Sequence, residues 1–234
     1  MSNVVPFRKQ EGDESGQQLI LPPASAHAYA ELAVTTNFSF LRGASHSDEL
    51  VKQAVALGLT GIGIADRNSV AGVVKAYAEA EQLNARIREL NEEHKTDHAE
   101  LKLAVGARLV FDDGTPDILA YPQNRVAWGR LTRLLTVGKS RGEKAECILF
   151  FDDLIEHIAG LNLIVMPPDR IKADALCDCL ARLKSADPRQ QIWLAASMLY
   201  RGDDARRLAR LKAIAERALV PLIAVNDVLY HAPE

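Results

Sequence analysis

The chain has 234 residues, 48% apolar and 25% charged, enough for one α/β domain with a substantial core. A net charge of −3 lacks the basic footprint of a dedicated nucleic-acid binder, and three cysteines do not make a disulfide framework. No run is long and apolar enough to span a membrane and the N-terminus has no signal-peptide core, so the expectation is a cytoplasmic protein with reduced thiols and no membrane partner.

Residues 1–28 have little apolar periodicity and read as a flexible N-terminal tail, although Leu19-Ile20-Leu21 precedes Pro22-Pro23. A β-run around Leu32 and Val34 follows. Ser45 and Ser47 are candidate helix caps, with Asp48 and Glu49 suited to the positive end of the helix dipole. Leu50, Val51, Ala54 and Val55 share one helical face, and Gly58 is placed to end that helix. Ile62–Ala65 is a short apolar strand that delivers Asp66 at its C-terminal end, where parallel α/β folds place their chemistry.

From Ser69 a long helix is expected, with Val73, Val74, Tyr77, Ala80 and Leu83 as its apolar stripe, extended by Ile87 and Leu90. Residues 91–100 are a polar surface excursion. Leu101, Leu103 and Val105 form the next strand, closed by Gly106; Asp112-Asp113-Gly114 is a hairpin turn and Asp117–Tyr121 pairs back. Helices are expected at 124–137, 152–157, 171–183 and 203–218, the last with Leu208, Leu211 and Ala215 inside. Strands are expected at 161–166, 192–196 and 222–225. This β–α alternation argues for a parallel sheet or a barrel, and periodicity does not separate a closed barrel from an open doubly wound sheet.

Several ordered segments carry a family resemblance. Asn37-Phe38-Ser39-Phe40-Leu41-Arg42-Gly43-Ala44-Ser45-His46, Leu57-Gly58-Leu59 and Ala65-Asp66 resemble the start of the polymerase and histidinol phosphatase (PHP) domain. The closer likeness is to the N-terminal domain of bacterial C-family DNA polymerases of the error-prone type. Asp117–Pro122, Gly129–Thr136, Lys144–Cys147 and Ala224–Val228 resemble the same group. Each segment alone is weak; their order is what counts. The resemblance implies a PHP domain over 29–234, folded as a distorted seven-stranded β/α barrel. It also implies a longer parent that carries the polymerase core and synthesises DNA across damage, in induced mutagenesis and repair, with DNA bound through that parent.

An intact PHP site holds divalent metals through His, Asp and Glu and activates water against a phosphoester. The family's opening His-x-His appears here as Ala33-Val34-Thr35, with the following Ser kept as Ser39. Its Asp-His appears as Asp66-Arg67, its Gly-x-Glu as Gly106-Ala107-Arg108, and its last Asp-x-His as Asp227-Val228-Leu229. The vestigial positions are therefore Ala33, Thr35, Asp66, Arg67, Arg108, Asp227 and Leu229, of which Asp66 and Asp227 keep a carboxylate. Alanine, leucine and arginine donate nothing to a metal. The expectation is a non-catalytic, structural domain without metal or other cofactor. An arginine, Arg108 in preference to Arg67, should pair with Asp66 or Asp227 where a cation once sat. The competing readings are a metal-dependent phosphoesterase or proofreading exonuclease, and a free-standing interaction module.

Other constellations are weaker. His94 and His98 have helical spacing but no catalytic glutamate between them, and read as a solvated pair. Cys177 and Cys179 are two apart and would not face each other on a helix. His46 reads as a cap or surface group and His157 as a helix-end group facing carbonyls or solvent. Arg201, Arg206, Arg207, Arg210 and Lys212 form a basic cluster without interleaved aromatics, and Arg130, Arg133, Lys139, Arg141 and Lys144 form another. Each fits a solvated face, a phosphate contact or an interdomain contact.

Overall fold

The structure, a computed structural model, describes residues 28–187 and 191–232. All but the last residue of the expected N-terminal tail lies outside these. The chain runs β1 (Ala30–Val34), α1 (Ser47–Ala56), β2 (Gly61–Arg67), α2 (Val73–His94), β3 (Lys102–Leu109), β4 (Ile118–Pro122) and α3 (Arg125–Arg141). It continues with α4 (Phe151–His157), β5 (Leu161–Val165), α5 (Ala173–Ala186), β6 (Ile192–Ala196), α6 (Asp204–Ala218) and β7 (Leu222–Ala224). The seven strands form one sheet in sequence order. All neighbours pair in parallel except β4, which is antiparallel to β3 and β5 because the 112–114 turn folds it straight back.

The sheet curls into a nearly closed barrel. No ladder joins β7 to β1, but Val34 and Val228 form a parallel bridge. Val228 donates its N–H to Ala33 O at 2.8 Å, and Thr35 N–H donates to Val228 O at 2.9 Å. Glu31, buried in β1, accepts from Ala33 N–H and Asn226 N–H at 2.8 Å each and from the Tyr29 hydroxyl at 2.7 Å. Its carboxylate thus fastens the seam from the side, while burial and the neighbouring Glu31 charge hold the Tyr29 hydroxyl protonated well above its usual range.

Three apolar clusters build the core. Helices α3 to α6 cover the sheet with Leu131, Leu134, Leu154, Leu180 and Leu211. Helices α1 and α2 cover β2 through Val51, Ala54, Ala76, Ala80 and Ile87, which meet Ile62 and Ile64. The barrel interior is filled from the strands by Ala33, Ala65, Leu119, Tyr121, Ile164 and Ala195. Gly106 does not close β3 as expected; the strand continues to Leu109. A Cβ at Gly106 would lie 2.4 Å from Ala120 O and 2.6 Å from Tyr121 Cδ1, so glycine is there to let β4 approach.

The helices correct further expectations. The cap of α1 is His46, whose backbone N–H donates to Glu49 Oε2 at 2.8 Å, rather than Ser45 or Ser47. Gly58, at φ +70, ends α1 as expected. Helix α2 starts at Val73, four residues after Ser69, and buries Ala76, Ala80 and Ile87 while Val74 and Tyr77 face out. Val73, Ala80, Leu83 and Ile87 of the expected stripe do pack on the core shared with α1; only Val74 and Tyr77 turn outward, and Ala76 takes their place on the inner face. Asn124 caps α3 by accepting the Val126 and Ala127 N–H groups at 3.0 Å. In α6, Leu208 is 38% exposed and Ile214 takes the buried position beside Leu211 and Ala215.

Candidate functional site

The candidate site lies at the C-terminal ends of β1, β2 and β3 and just past β7. Strand parity decides which way each residue points. Along β2, Ile62 and Ile64 join the helix-side core and Ala65 joins the interior. Asp66 therefore falls on the helix side and Arg67 on the interior side. Along β3, Ala107 and Leu109 join the helix-side core, so Arg108 points inward with Ala104. The register pairs Asp66 with Ala107 and Arg67 with Arg108, which sets the two arginines side by side.

Arg108 is the centre of the mouth. Its side chain is 7% exposed. Nη1 donates to Asp227 Oδ1 at 2.6 Å and Nε donates to Asp117 Oδ2 at 2.8 Å. The guanidinium thus divides its fork between two carboxylates contributed by the segment before β4 and the segment after β7. Burial works against its charge, but Asp227 and Asp117 outweigh burial and hold its pKa above the ordinary arginine value. Arg67 reaches Asp117 only at 3.6 Å and is a third exposed. Burial lowers its pKa; repulsion from Arg42 and Arg108 adds to that, and attraction to Asp117 and Asp227 does not make up the whole loss.

Asp66 is 0% exposed and has no guanidinium among its hydrogen-bond partners. Oδ1 accepts the Thr36 N–H at 2.8 Å and the Ser39 hydroxyl at 2.7 Å, and the Thr36 hydroxyl reaches both carboxylate oxygens at 3.0 and 2.9 Å. Ser39 Oγ in turn accepts the Arg67 N–H at 2.9 Å. A Cβ on Gly72 would lie 2.4 Å from Asp66 Oδ2 and 2.7 Å from Thr36 Oγ1, so the backbone before α2 closes over the carboxylate. Asp66 ties the 36–45 loop to β2 as a hydrogen-bond anchor.

Of the remaining vestigial positions, Ala33 and Thr35 are buried at the barrel seam and take part through their backbones. Leu229 accepts the Ala44 N–H at 2.8 Å through its carbonyl. The expectation that Arg108 would pair with Asp66 or Asp227 holds for Asp227; Asp66 lies on the other face of the sheet. Sequence reasoning missed Asp117 as a second partner, along with Thr36 and Gly72. Among the described residues, no three His, Cys, Asp or Glu side chains gather as a metal site would require.

Several residues of the other constellations take structural roles. His94 ends α2, and Lys95 breaks the helix at φ +54, so His98 does not share its face. Asn91 instead pins the excursion, donating to His98 O and accepting from His98 N–H and the Thr96 hydroxyl. His157 Nδ1 meets Asp153 O at 2.8 Å, and His46 Nδ1 meets Asn37 Nδ2. Cys177 accepts from Arg217 Nε at 3.0 Å, and burial pushes the Cys179 thiol up to about 11. From the basic clusters, Arg207 donates to the Pro167, Pro168 and Asp169 carbonyls, Arg201 pairs with Asp169, and Arg141 pairs with Asp153. No helix among the described residues is long and apolar enough to cross a membrane.

Comparison with known proteins agrees with this architecture. The chain is 54% identical over 213 residues to the error-prone DNA polymerase of Bradyrhizobium sp. (strain ORS 278), a match covering 88% of this chain and 17% of that protein. It is 54% identical over 209 residues to the error-prone DNA polymerase of Rhodopseudomonas palustris (strain BisB5), covering 88% and 18%. The chain thus spans less than a fifth of the length of these curated relatives. Among solved structures it is similar to a protein assigned as a metal-dependent phosphoesterase from Bifidobacterium adolescentis (TM-score 0.57, 17% identity, 90% of each chain). An amidohydrolase from Chromobacterium violaceum is also similar (TM-score 0.56, 14% identity, 87% and 88% covered). At these identities the structures speak for the fold alone. The PHP domain profile matches residues 31–185, more than half of the sequence, and the chain belongs to the PHP domain family.

Proposed function

We propose that this chain is a non-catalytic, structural PHP domain of an error-prone DNA polymerase that copies damaged DNA in the cytoplasm, in induced mutagenesis and repair. The polymerase core of the parent is its partner, and DNA is engaged through that core. The observation that carries this reading is Arg108, a buried guanidinium bonded to Asp227 and Asp117 at the barrel mouth. A divalent cation and a guanidinium compete for the same carboxylates, and the fixed cation repels the mobile one. The rest of the donor set does not fit a metal cluster either. Ala33 and Leu229 offer no side-chain donor, and Asp66 is already occupied by Thr36 and Ser39.

Elemental analysis of the purified chain, with a manganese-supplemented phosphoester assay and a single-stranded DNA degradation assay, tests the reading. The expected result is no stoichiometric metal and no turnover above a nuclease-free blank. Robust manganese-dependent turnover, abolished by Asp227→Asn without loss of folding, would overturn it.

A further inference from the structure

The mouth end of the barrel carries an apolar surface left open to solvent. Phe40 and Leu41 lie on the loop after β1, Met198, Leu199 and Tyr200 on the loop after β6, and Tyr230 downstream of β7. Phe40, Leu41 and Tyr200 are 85, 88 and 95% exposed. Strands β6 and β7 run parallel, and the Val34–Val228 bridge sets β1 parallel beside them, so these segments leave the same end of the barrel. Single exposed apolar residues are ordinary on a surface; several at one end of a barrel are not.

Both loop tips are held in shape. Arg42 and Gly43 N–H groups donate to Ser39 O, and Ala44 N–H donates to Leu229 O. Leu199 and Arg201 N–H groups donate to the Asp204 carboxylate at 3.1 and 3.2 Å. Leu41 and Tyr200 sit at φ +60 and +55, the left-handed region that bulky side chains rarely enter. Strain that holds a large apolar side chain out in water gives the isolated domain no burial in return. Rigid, pre-shaped apolar anchors are what a protein interface uses.

We infer that this face docks against the remainder of the error-prone polymerase polypeptide, an inference that rests on the function proposed above. More than four-fifths of each relative lies outside the match to this chain, so a large covalently joined partner exists in those proteins. Residues 226–231 run along the same face, with His231 N–H on Ser45 Oγ at 2.8 Å. Chain that follows them in a longer polypeptide leaves beside the patch. A tether anchored there gives the covalent partner an effective concentration that a second copy does not match.

The test is hydroxyl-radical footprinting of the isolated chain and of a chimera in which this chain replaces the matching segment of the Bradyrhizobium polymerase. In the isolated chain Phe40, Leu41, Met198 and Tyr200 should be labelled freely. In the chimera they should be shielded, while exposed Leu57 and Leu219, which precede β2 and β7 at the opposite end of the barrel, stay labelled. Phe40→Ser with Leu41→Ser should leave the isolated domain's melting temperature unchanged and restore labelling of Tyr200 and Tyr230 in the chimera. Shielding of Leu57 or Leu219 in place of the loops would overturn the inference, as would concentration-dependent shielding of the loops in the isolated chain, which would mark a second copy as the occupant. Primer extension by the chimera tests the polymerase reading separately, so the two can fail independently.

Discussion

Asp66 and Asp227 stand at the same end of the barrel, and both are carboxylates at positions that the sequence resemblance implies for metal ligands. One is sealed among hydroxyls and an N–H group, and the other is clamped by a guanidinium. The difference follows from sheet geometry. Asp66 shares the helix side of β2 with Ile62 and Ile64, so the 36–45 loop and the start of α2 enclose it. Asp227 faces the interior side, where β3 delivers Arg108. A charged side chain in a crowded mouth needs either several strong donors or a partner of opposite charge. This domain uses one device on each face of the same sheet, and the two should respond differently to substitution.

Removing the guanidinium should have the largest effect. Arg108→Ala leaves Asp117 and Asp227 facing each other without their cation. Breaking a buried pair costs about 3–5 kcal/mol, and the partial exposure of both carboxylates sets the expected loss near the lower figure. Arg108→Glu should cost more, because a third carboxylate joins the two. It should also create a response the parent lacks: millimolar Mn²⁺ should raise its melting temperature, since converging carboxylates are what a hard cation binds. Chemical denaturation and thermal melts with and without Mn²⁺ measure both. A loss below about 1 kcal/mol for Arg108→Ala would mean the mouth is as wet as an open surface.

Asp66 should behave in the opposite way toward metal. Asp66→Ala removes the acceptor for the Thr36 N–H and for the Thr36 and Ser39 hydroxyls in a fully buried place. Buried donors left unpaired cost about 1–3 kcal/mol each, eased here because hydroxyls can turn elsewhere, so the expected loss is about 2–4 kcal/mol. Asp66→Asn keeps one acceptor oxygen and should cost about half as much. Neither variant should gain stability from Mn²⁺. A metal response in Asp66→Asn equal to that of Arg108→Glu would erase the contrast between the two faces.

Gly72 tests how tightly the sealed face is closed. Gly72→Ala would press a methyl group against Asp66 Oδ2 and Thr36 Oγ1, at 2.4 and 2.7 Å before any adjustment. Overpacking of this kind costs about 1–3 kcal/mol. The double variant with Asp66→Ala, which removes the clashing oxygen, should lose less than the sum of the singles. Additivity would show that the 69–72 turn yields on its own.

Much of this arrangement was legible before the fold was known, and the gaps have physical causes. The β–α order, the returning hairpin and the inward pairing of Arg108 with Asp227 follow from periodicity and from residues that stand where ligands were expected. Asp117 was missed because it precedes β4, and only the antiparallel register brings it back to Arg108. The residue type of Asp66 suits a hydrogen-bond anchor or an ion-pair partner alike, and only its face decides for the first. The parity of β2 becomes plain only once Ile62 and Ile64 are seen against α1 and α2. The inner face of α2 is legible at Val73, Ala80, Leu83 and Ile87 but not at Val74 and Tyr77, which turn outward while the small Ala76 turns in. The seam from Glu31 to Asn226 joins residues almost the whole domain apart, and neither residue type announces such a contact.

The smallest expected effect separates the two arginines of the mouth. Arg67 lies beside Arg108 in register and shares Asp117 with it, so a charge count would treat them alike. Geometry does not. Arg67 is a third exposed, stands 3.6 Å from Asp117, and is crowded by Arg42 and Arg108. Solvent screening discounts such a contact to under about 1 kcal/mol, and relief of the repulsion offsets part of that. Arg67→Ala should therefore be nearly neutral. A double-mutant cycle makes the comparison sharp: coupling of Arg108 to Asp117 should be about 2 kcal/mol or more, and coupling of Arg67 to Asp117 a small fraction of it. Equal couplings would mean that Asp117 answers to a diffuse cationic field, and that Arg108 is not the residue standing in for the metal.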